Sequence, residues 1–251
     1  MSTSRDVLGH RKKFGVLGPS TNTIVQPELD EMRPPGVTNH YSRIYTPNAK
    51  AISNESFMAG TLTIAENVLD AVRSVMTAEP HYLVMGMSAI TFYGGAKGAA
   101  EFQAKIEDAA SVGASTGSHA TTAALAAYGG IRRIAFISPY YPVANAEVRR
   151  YFEESGFEVK RDICLECPSW TSIAEVTEET LRVRLRELDG DDVDAIVQVG
   201  TNLCMARLAA EAERWMGKPV IAINTATYWH ALRNNGIHDK IPGFGRLLEE
   251  L

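Results

Sequence analysis

The residues of this sequence that could do chemistry are small and polar, and they recur in one kind of place. Ser20, Thr21, Asn22 and Thr23 follow the apolar run Phe14-Gly-Val-Leu-Gly18, and Gly86-Met87-Ser88 follows His81-Tyr-Leu-Val-Met85. Ser138-Pro139-Tyr140 follows Ile134-Ala-Phe-Ile137, and Gly200-Thr201-Asn202 follows Asp194-Ala-Ile-Val-Gln-Val199. Hydroxyls, carboxamides and backbone N–H groups in turns that open helices donate hydrogen bonds to anions. The same residue types also cap helices, so Ser20 to Thr23 and the pair Thr201-Asn202 admit both readings. Tyr140 and Tyr141 are adjacent, and spacing alone does not choose between packing and donation. His119 and His230 stand on helical segments and read more readily as core or surface histidines than as acid–base groups.

Other chemistries find little support. Cys164 and Cys167 form a CxxC, but no second ligand pair completes a zinc tetrahedron, and the motif reads as a loop before Pro168. With Cys204 the chain has three cysteines, too few for a disulfide framework, and the default expectation is a reducing cytoplasm. Gly15 and Gly18 do not make GxGxxG and no GxxxxGK[ST] occurs, so no nucleotide or other cofactor is expected. A net charge of −5 argues against a nucleic-acid partner, and Arg182, Arg184 and Arg186 read as a solvated helix face among acids. The polar stretch Met1 to Lys13 does not read as a signal peptide, and no apolar run reaches the length a membrane span needs.

The elements that must position these turns are legible too. The apolar runs, with Pro219-Val-Ile-Ala-Ile223, have the length and composition of buried parallel strands. Helical periodicity lies between them, as in Ala144 to Glu154 and Leu203 to Trp215. The pattern predicts a doubly wound α/β fold that binds ligands at the C-terminal ends of its strands. It also repeats. The Pro19-Ser20 and Gly86-Met87-Ser88 ends are echoed by Pro139-Tyr140 and Gly200-Thr201-Asn202, and Gly117 to Leu125 is echoed by Asn224 to Leu232. Two pseudo-symmetric, flavodoxin-like halves are expected, 14–118 and 119–230, after an N-terminal extension 1–13. Helices in 231–251 are expected to cross back to the first half, and the site to lie in the cleft between the halves.

The ordered set Pro-Ser-Thr-Asn-Thr (19–23), Met-Gly-Met-Ser-x-x-x-Phe-Tyr-x-Gly (85–95), Ser-Pro-Tyr…Asn (138–145) and Pro-Gly-Phe-Gly-Arg-Leu-Leu (242–248) resembles the aspartate/glutamate racemase superfamily, in its arylmalonate decarboxylase and maleate cis-trans isomerase branch. The resemblance spans nearly the whole chain. It implies a cofactor-independent enzyme on a small carboxylate, by default a homo-oligomer. By this resemblance Ser88 and the amides of Met87 and Ser88 match an oxyanion-binding turn, Tyr140 a tyrosine that donates to the same carboxylate, and Asn22 an asparagine that holds a substrate carboxylate. Ser20, Gly86, Gly200, Thr201 and Asn202 complete the expected substrate-binding set.

The same resemblance exposes a departure. The two strand-end positions that carry cysteines in racemases and isomerases are Gly86 and Gly200 here. Covalent isomerisation needs a nucleophile and two-base racemisation needs two proton shuttles, so both are weakened. Decarboxylation needs a stabilised carbanion and a proton from water or Tyr140, and loses least. The alternatives are an isomerase or racemase with Cys204 in a displaced catalytic role, against a buried structural cysteine on a helix, and a non-catalytic carboxylate-binding paralogue.

Overall fold

The structure, a computed structural model, describes residues 6–48, 50 and 52–251. Along the chain run β1 (Lys12–Pro19), α1 (Val25–Glu31), β2 (Val37–Ile44), α2 (Asn54–Glu66), α3 (Val68–Met76), β3 (Tyr82–Met85), α4 (Ala89–Phe92), α5 (Gly95–Ala110), β4 (Ala114–Ser115) and α6 (Gly117–Tyr128). The second series is β5 (Arg133–Ser138), α7 (Pro142–Glu154), β6 (Glu158–Cys164), α8 (Glu178–Leu188), β7 (Ala195–Gln198), α9 (Ala206–Met216), β8 (Val220–Ala222), α10 (Ile223–Asn234) and α11 (Arg246–Glu249).

The strands form two four-stranded sheets, ordered β2-β1-β3-β4 and β6-β5-β7-β8, with every pairing parallel. The repeat therefore extends to topology. The central strands are buried throughout, as at Phe14, Val16 and Leu17 of β1 and Ile134 to Ile137 of β5, because helices cover both faces of a parallel sheet. The edge strands β2 and β6 have no such apolar run, and sequence periodicity passes over them.

Three expectations shift. The first strand begins at Lys12, inside the extension expected over 1–13, of which 1–5 lie outside the described residues. Cys164 ends β6 instead of lying in a loop. The helix expected from Leu203 begins at Ala206, because Gly200 to Met205 form an irregular turn in which Leu203 N–H bonds the Gly200 carbonyl. Helix α10 leaves the second sheet and packs on β3, β4 and α6 of the first series. Its Tyr228 hydroxyl donates to Asn39 Oδ1 at 3.0 Å, and His230 Nδ1 lies 2.8 Å from Ser115 Oγ. Among the described residues no helix is long and apolar enough to cross a membrane.

Candidate active site

Each sheet changes direction once. From β1 the chain adds β2 on one side and β3 on the other, and from β5 it adds β6 and β7 likewise. A crevice opens at such a switch point because the two connections leave to opposite faces. The turns after β1, β3, β5 and β7 meet there. One cleft is lined by Pro19, Thr21 and Asn22, by Met87, Ser88 and Ala89, by Pro139 and Tyr140, and by Gly200, Thr201 and Asn202. Ile64, Trp170 and Ile173 complete its apolar wall, and it holds about 410 Å3 of empty space, counting the part open to solvent.

Hydrogen bonds stitch the two halves together at the floor of this cleft. Ser88 Oγ lies 2.5 Å from the Tyr140 hydroxyl, and the Thr201 N–H donates to the same Ser88 oxygen at 3.2 Å. Thr201 Oγ1 donates to the Gly86 carbonyl at 2.9 Å and accepts from Asn22 Nδ2 at 3.0 Å. The two asparagines cross-brace the head of α1. Asn22 Oδ1 accepts from the N–H groups of Ile24 and Val25, Asn202 Oδ1 accepts from Thr23 N–H at 2.9 Å, and Asn202 Nδ2 donates to the Trp170 carbonyl.

Tyr140 is held by what surrounds it. Its ring packs against Phe57, which also meets Tyr141 and Trp170, with ring centroids 5.1 to 5.9 Å apart. The CxxC segment clamps its backbone: Leu165, Glu166 and Cys167 donate N–H bonds to the carbonyls of Ser138, Tyr140 and Pro139. That gives the motif a structural use beside the cleft. Burial pushes the Tyr140 phenol well above its ordinary range, with donation from Ser88 opposing, so the hydroxyl stays protonated as a donor.

Among the described residues the cleft lining has no Asp, Glu, Lys, Arg or His. Nor do the Met87 and Ser88 amides, in a buried turn, have a protein acceptor. Two amides and a coupled pair of hydroxyls can thus stabilise negative charge on a carboxylate through fixed dipoles. The remaining wall is apolar.

Of the residues expected from sequence, Asn22, Met87, Ser88, Tyr140, Gly200, Thr201 and Asn202 line the cleft together. Gly86 lies just beneath, contributing its carbonyl to Thr201. Ser20 does not face the cleft: its hydroxyl accepts from Thr46 N–H at 2.9 Å and pins the chain leaving β2. Cys204 is corrected more sharply. It is exposed, stands before α9 and not on it, and is absent from the lining. Its thiol lies against Glu28, and partial burial followed by the nearby Glu28 charge pushes it up, away from the reactive thiolate form. Sequence reading missed Trp170 and Ile173, which lie outside the regular α and β elements, Ile64, whose helical spacing with Phe57 and Thr61 could have flagged it, and the buried acid Glu28.

Fold and cleft together define a class: the two-halved parallel α/β proteins of the aspartate/glutamate racemase superfamily, with facing switch points. Within it, the family model described as arylmalonate decarboxylase matches residues 24–248, and the chain belongs to that family of enzymes. It is 25% identical over 248 residues to the maleate isomerase of Nocardia farcinica, covering 95% of this chain and 96% of that one. It is 27% identical over 191 residues to the arylmalonate decarboxylase of Bordetella bronchiseptica, covering 74% and 79%. Similarity to the maleate isomerase of Alcaligenes faecalis, 29% over 121 residues, spans about half of either chain. Among solved structures, a cysteine-to-serine variant of the N. farcinica isomerase with a covalently bound succinylcysteine intermediate superposes with a TM-score of 0.86 at 23% identity, over 96% of this chain and 99% of that one. A liganded double variant of arylmalonate decarboxylase superposes with a TM-score of 0.81 at 24% identity, over 96% and 100%.

Proposed function

We propose that this chain is a cofactor-independent lyase of decarboxylase type acting on a small carboxylate, with its site in the cleft between halves 14–118 (joined by 231–251) and 119–230. The observation that carries the reading is the donor set itself. Met87, Ser88 and Tyr140 line one cleft, with the Ser88 and Tyr140 hydroxyls paired, the Met87 and Ser88 amides without a backbone acceptor and, among the described residues, no charged group in the lining. In this reading one carboxylate of a malonate-like acid is held there while the other lies against the apolar wall. The bond to the second breaks, CO2 departs, and its electron pair becomes an enediolate on the held carboxylate, where fixed donors stabilise it. A proton from water or from Tyr140 then completes the product. The role given to Asn22 is narrower than a free carboxylate ligand, since its Oδ1 is engaged at α1 and its Nδ2 at Thr201.

Two cheaper-looking chemistries fit less well. Covalent isomerisation and two-base racemisation need thiols at the strand ends, and Cys204 lies outside the lining with a raised pKa. Accordingly Cys204→Ala is expected to leave turnover within about twofold of wild type, a surface-type substitution away from the site; a hundredfold loss would restore the displaced-thiol mechanism. With the lyase reading go a reducing cytoplasm, the default for a chain with three cysteines, and a homo-oligomeric state, the default for this family.

The deciding experiment incubates the purified protein with a panel of substituted malonates and follows CO2 release. Release from one or more members is the expected result. Tight carboxylate binding with no release across the panel would overturn the lyase in favour of a non-catalytic paralogue.

A further inference from the structure

Glu28 has no part in the proposed reaction, yet among the described residues it is one of two buried carboxylates, 8% exposed as the fourth residue of a helix from the first half. Its carboxylate reaches into the second half. Oε1 accepts from the N–H groups of Met205 and Ala206, both at 3.0 Å, at the head of α9. Oε2 accepts from Asn224 Nδ2 at 2.7 Å, on the first turn of α10. The same Asn224 nitrogen donates its other hydrogen to the Thr201 carbonyl at 3.0 Å. Both hydrogens of the carboxamide are therefore committed, and the two acceptors fix which way it faces. The Thr201 N–H in turn donates to Ser88 Oγ, which bonds the Tyr140 hydroxyl.

A buried acid that only capped a helix would satisfy the α9 amides and stop there. This one continues, through Asn224, into the turn that carries the donor to Ser88. We propose that Glu28 is a positioning residue for the cleft: acting across the two halves through Asn224, it holds Thr201 so that its amide meets Ser88 and orients the Ser88–Tyr140 donor pair. The Gly200 turn is irregular: its Gly200 carbonyl takes Leu203 N–H and Gln198 Nε2, its Thr201 and Asn202 side chains are tied to Gly86 and Trp170, and Asn224 is what holds the Thr201 carbonyl. A carboxylate suits the task better than a neutral acceptor because it takes all three donors at charge-assisted strength.

The test reads the Thr201 amide directly by hydrogen exchange in the full-length protein, so it does not depend on knowing the substrate. In Glu28→Gln the carboxamide can still accept from α9, but its NH2 opposes the NH2 of Asn224. Exchange at Thr201 should accelerate roughly tenfold or more, while Ile196 and Val197 in the core of β7 keep their protection. The pair Glu28→Gln with Asn224→Asp remakes a carboxamide–carboxylate bond but gives residue 224 nothing to donate to Thr201. It should regain most of the lost melting temperature and none of the Thr201 protection. Asn224→Ala, which leaves the α9 cap intact, serves if Glu28→Gln does not fold, and the same loss at Thr201 is expected. Unchanged Thr201 exchange in these variants, with or without a lower melting temperature, would make Glu28 a helix cap and nothing more. The consequence for turnover rests on the decarboxylase reading; the exchange result stands or falls apart from the malonate panel.

Discussion

Replacing Tyr140 by phenylalanine is expected to lower turnover of whichever malonate the wild type decarboxylates by about 10²–10³-fold, the usual cost of one oxyanion donor. The substitution removes a single oxygen. The ring stays packed on Phe57, and the backbone stays clamped by the CxxC segment. Loss of the hydroxyl leaves Ser88 Oγ without its partner at 2.5 Å and leaves the enediolate one donor short. Ser88→Ala should fall in the same range, and the double variant should lose little beyond either single, because the two hydroxyls act as one coupled donor. The effect belongs in kcat, with KM changed less, since the charge these donors meet is concentrated on the carboxylate only as CO2 leaves. Steady-state kinetics on the three variants read both statements. Full additivity, with each substitution costing its own separate factor, would mean that Ser88 and Tyr140 touch the substrate independently and that the short contact between them has no bearing on the reaction.

How much of this was legible in the residues depends on the kind of signal each left. Central strands of a parallel sheet must be apolar on both faces, so β1, β3, β5 and β7 announce themselves as runs, and the turns that follow them are located at once. Those four turns are the cleft, which is why Asn22, Met87, Ser88, Tyr140, Gly200, Thr201 and Asn202 come together. The edge strands β2 and β6 leave no such trace, unlike the apolar edge strand β8: β2 reads Val-Thr-Asn-His-Tyr-Ser-Arg-Ile and is mostly half-buried. Side-chain direction is hidden for a similar reason. Ser20 belongs to the right turn but faces Thr46, and Cys204, one helical turn past Gly200 if a helix began there, sits in an irregular turn instead. Partners distant in sequence are the least legible. The contact of Glu28 with Asn224 joins residues from different halves, and nothing near either one signals the other.

Restoring a thiol at the second strand end is expected to unfold more than it activates. Gly200 has φ of +107°, a conformation that side chains rarely adopt, and a Cβ built there would stand 2.3 Å from Pro139 Cδ and 2.6 Å from Pro139 Cγ. Gly200→Cys therefore combines backbone strain with overpacking against a rigid ring, about 2–5 kcal/mol of lost stability in a urea titration. Gly86→Cys meets tight but more distant neighbours, a Val25 methyl at 3.0 Å and the Leu17 backbone carbonyl at 3.1 Å, with no positive φ, and should cost about 1 kcal/mol, the lower end of overpacking. The contrast separates two accounts of why this chain has glycine at both positions. If thiols had merely been lost from an otherwise unaltered cleft, both substitutions would be tolerated alike. The geometry instead has Pro139 filling the space a side chain at 200 would need, so position 200, unlike position 86, is closed to a side chain. Adding Pro139→Ala to Gly200→Cys removes the clashing ring atoms but leaves the dihedral strain, and should return roughly 1–3 kcal/mol of the loss and not the whole of it. Complete recovery would assign the entire penalty to the proline, and no recovery would assign it to the backbone; either result would overturn the two-part account of why position 200 excludes a cysteine.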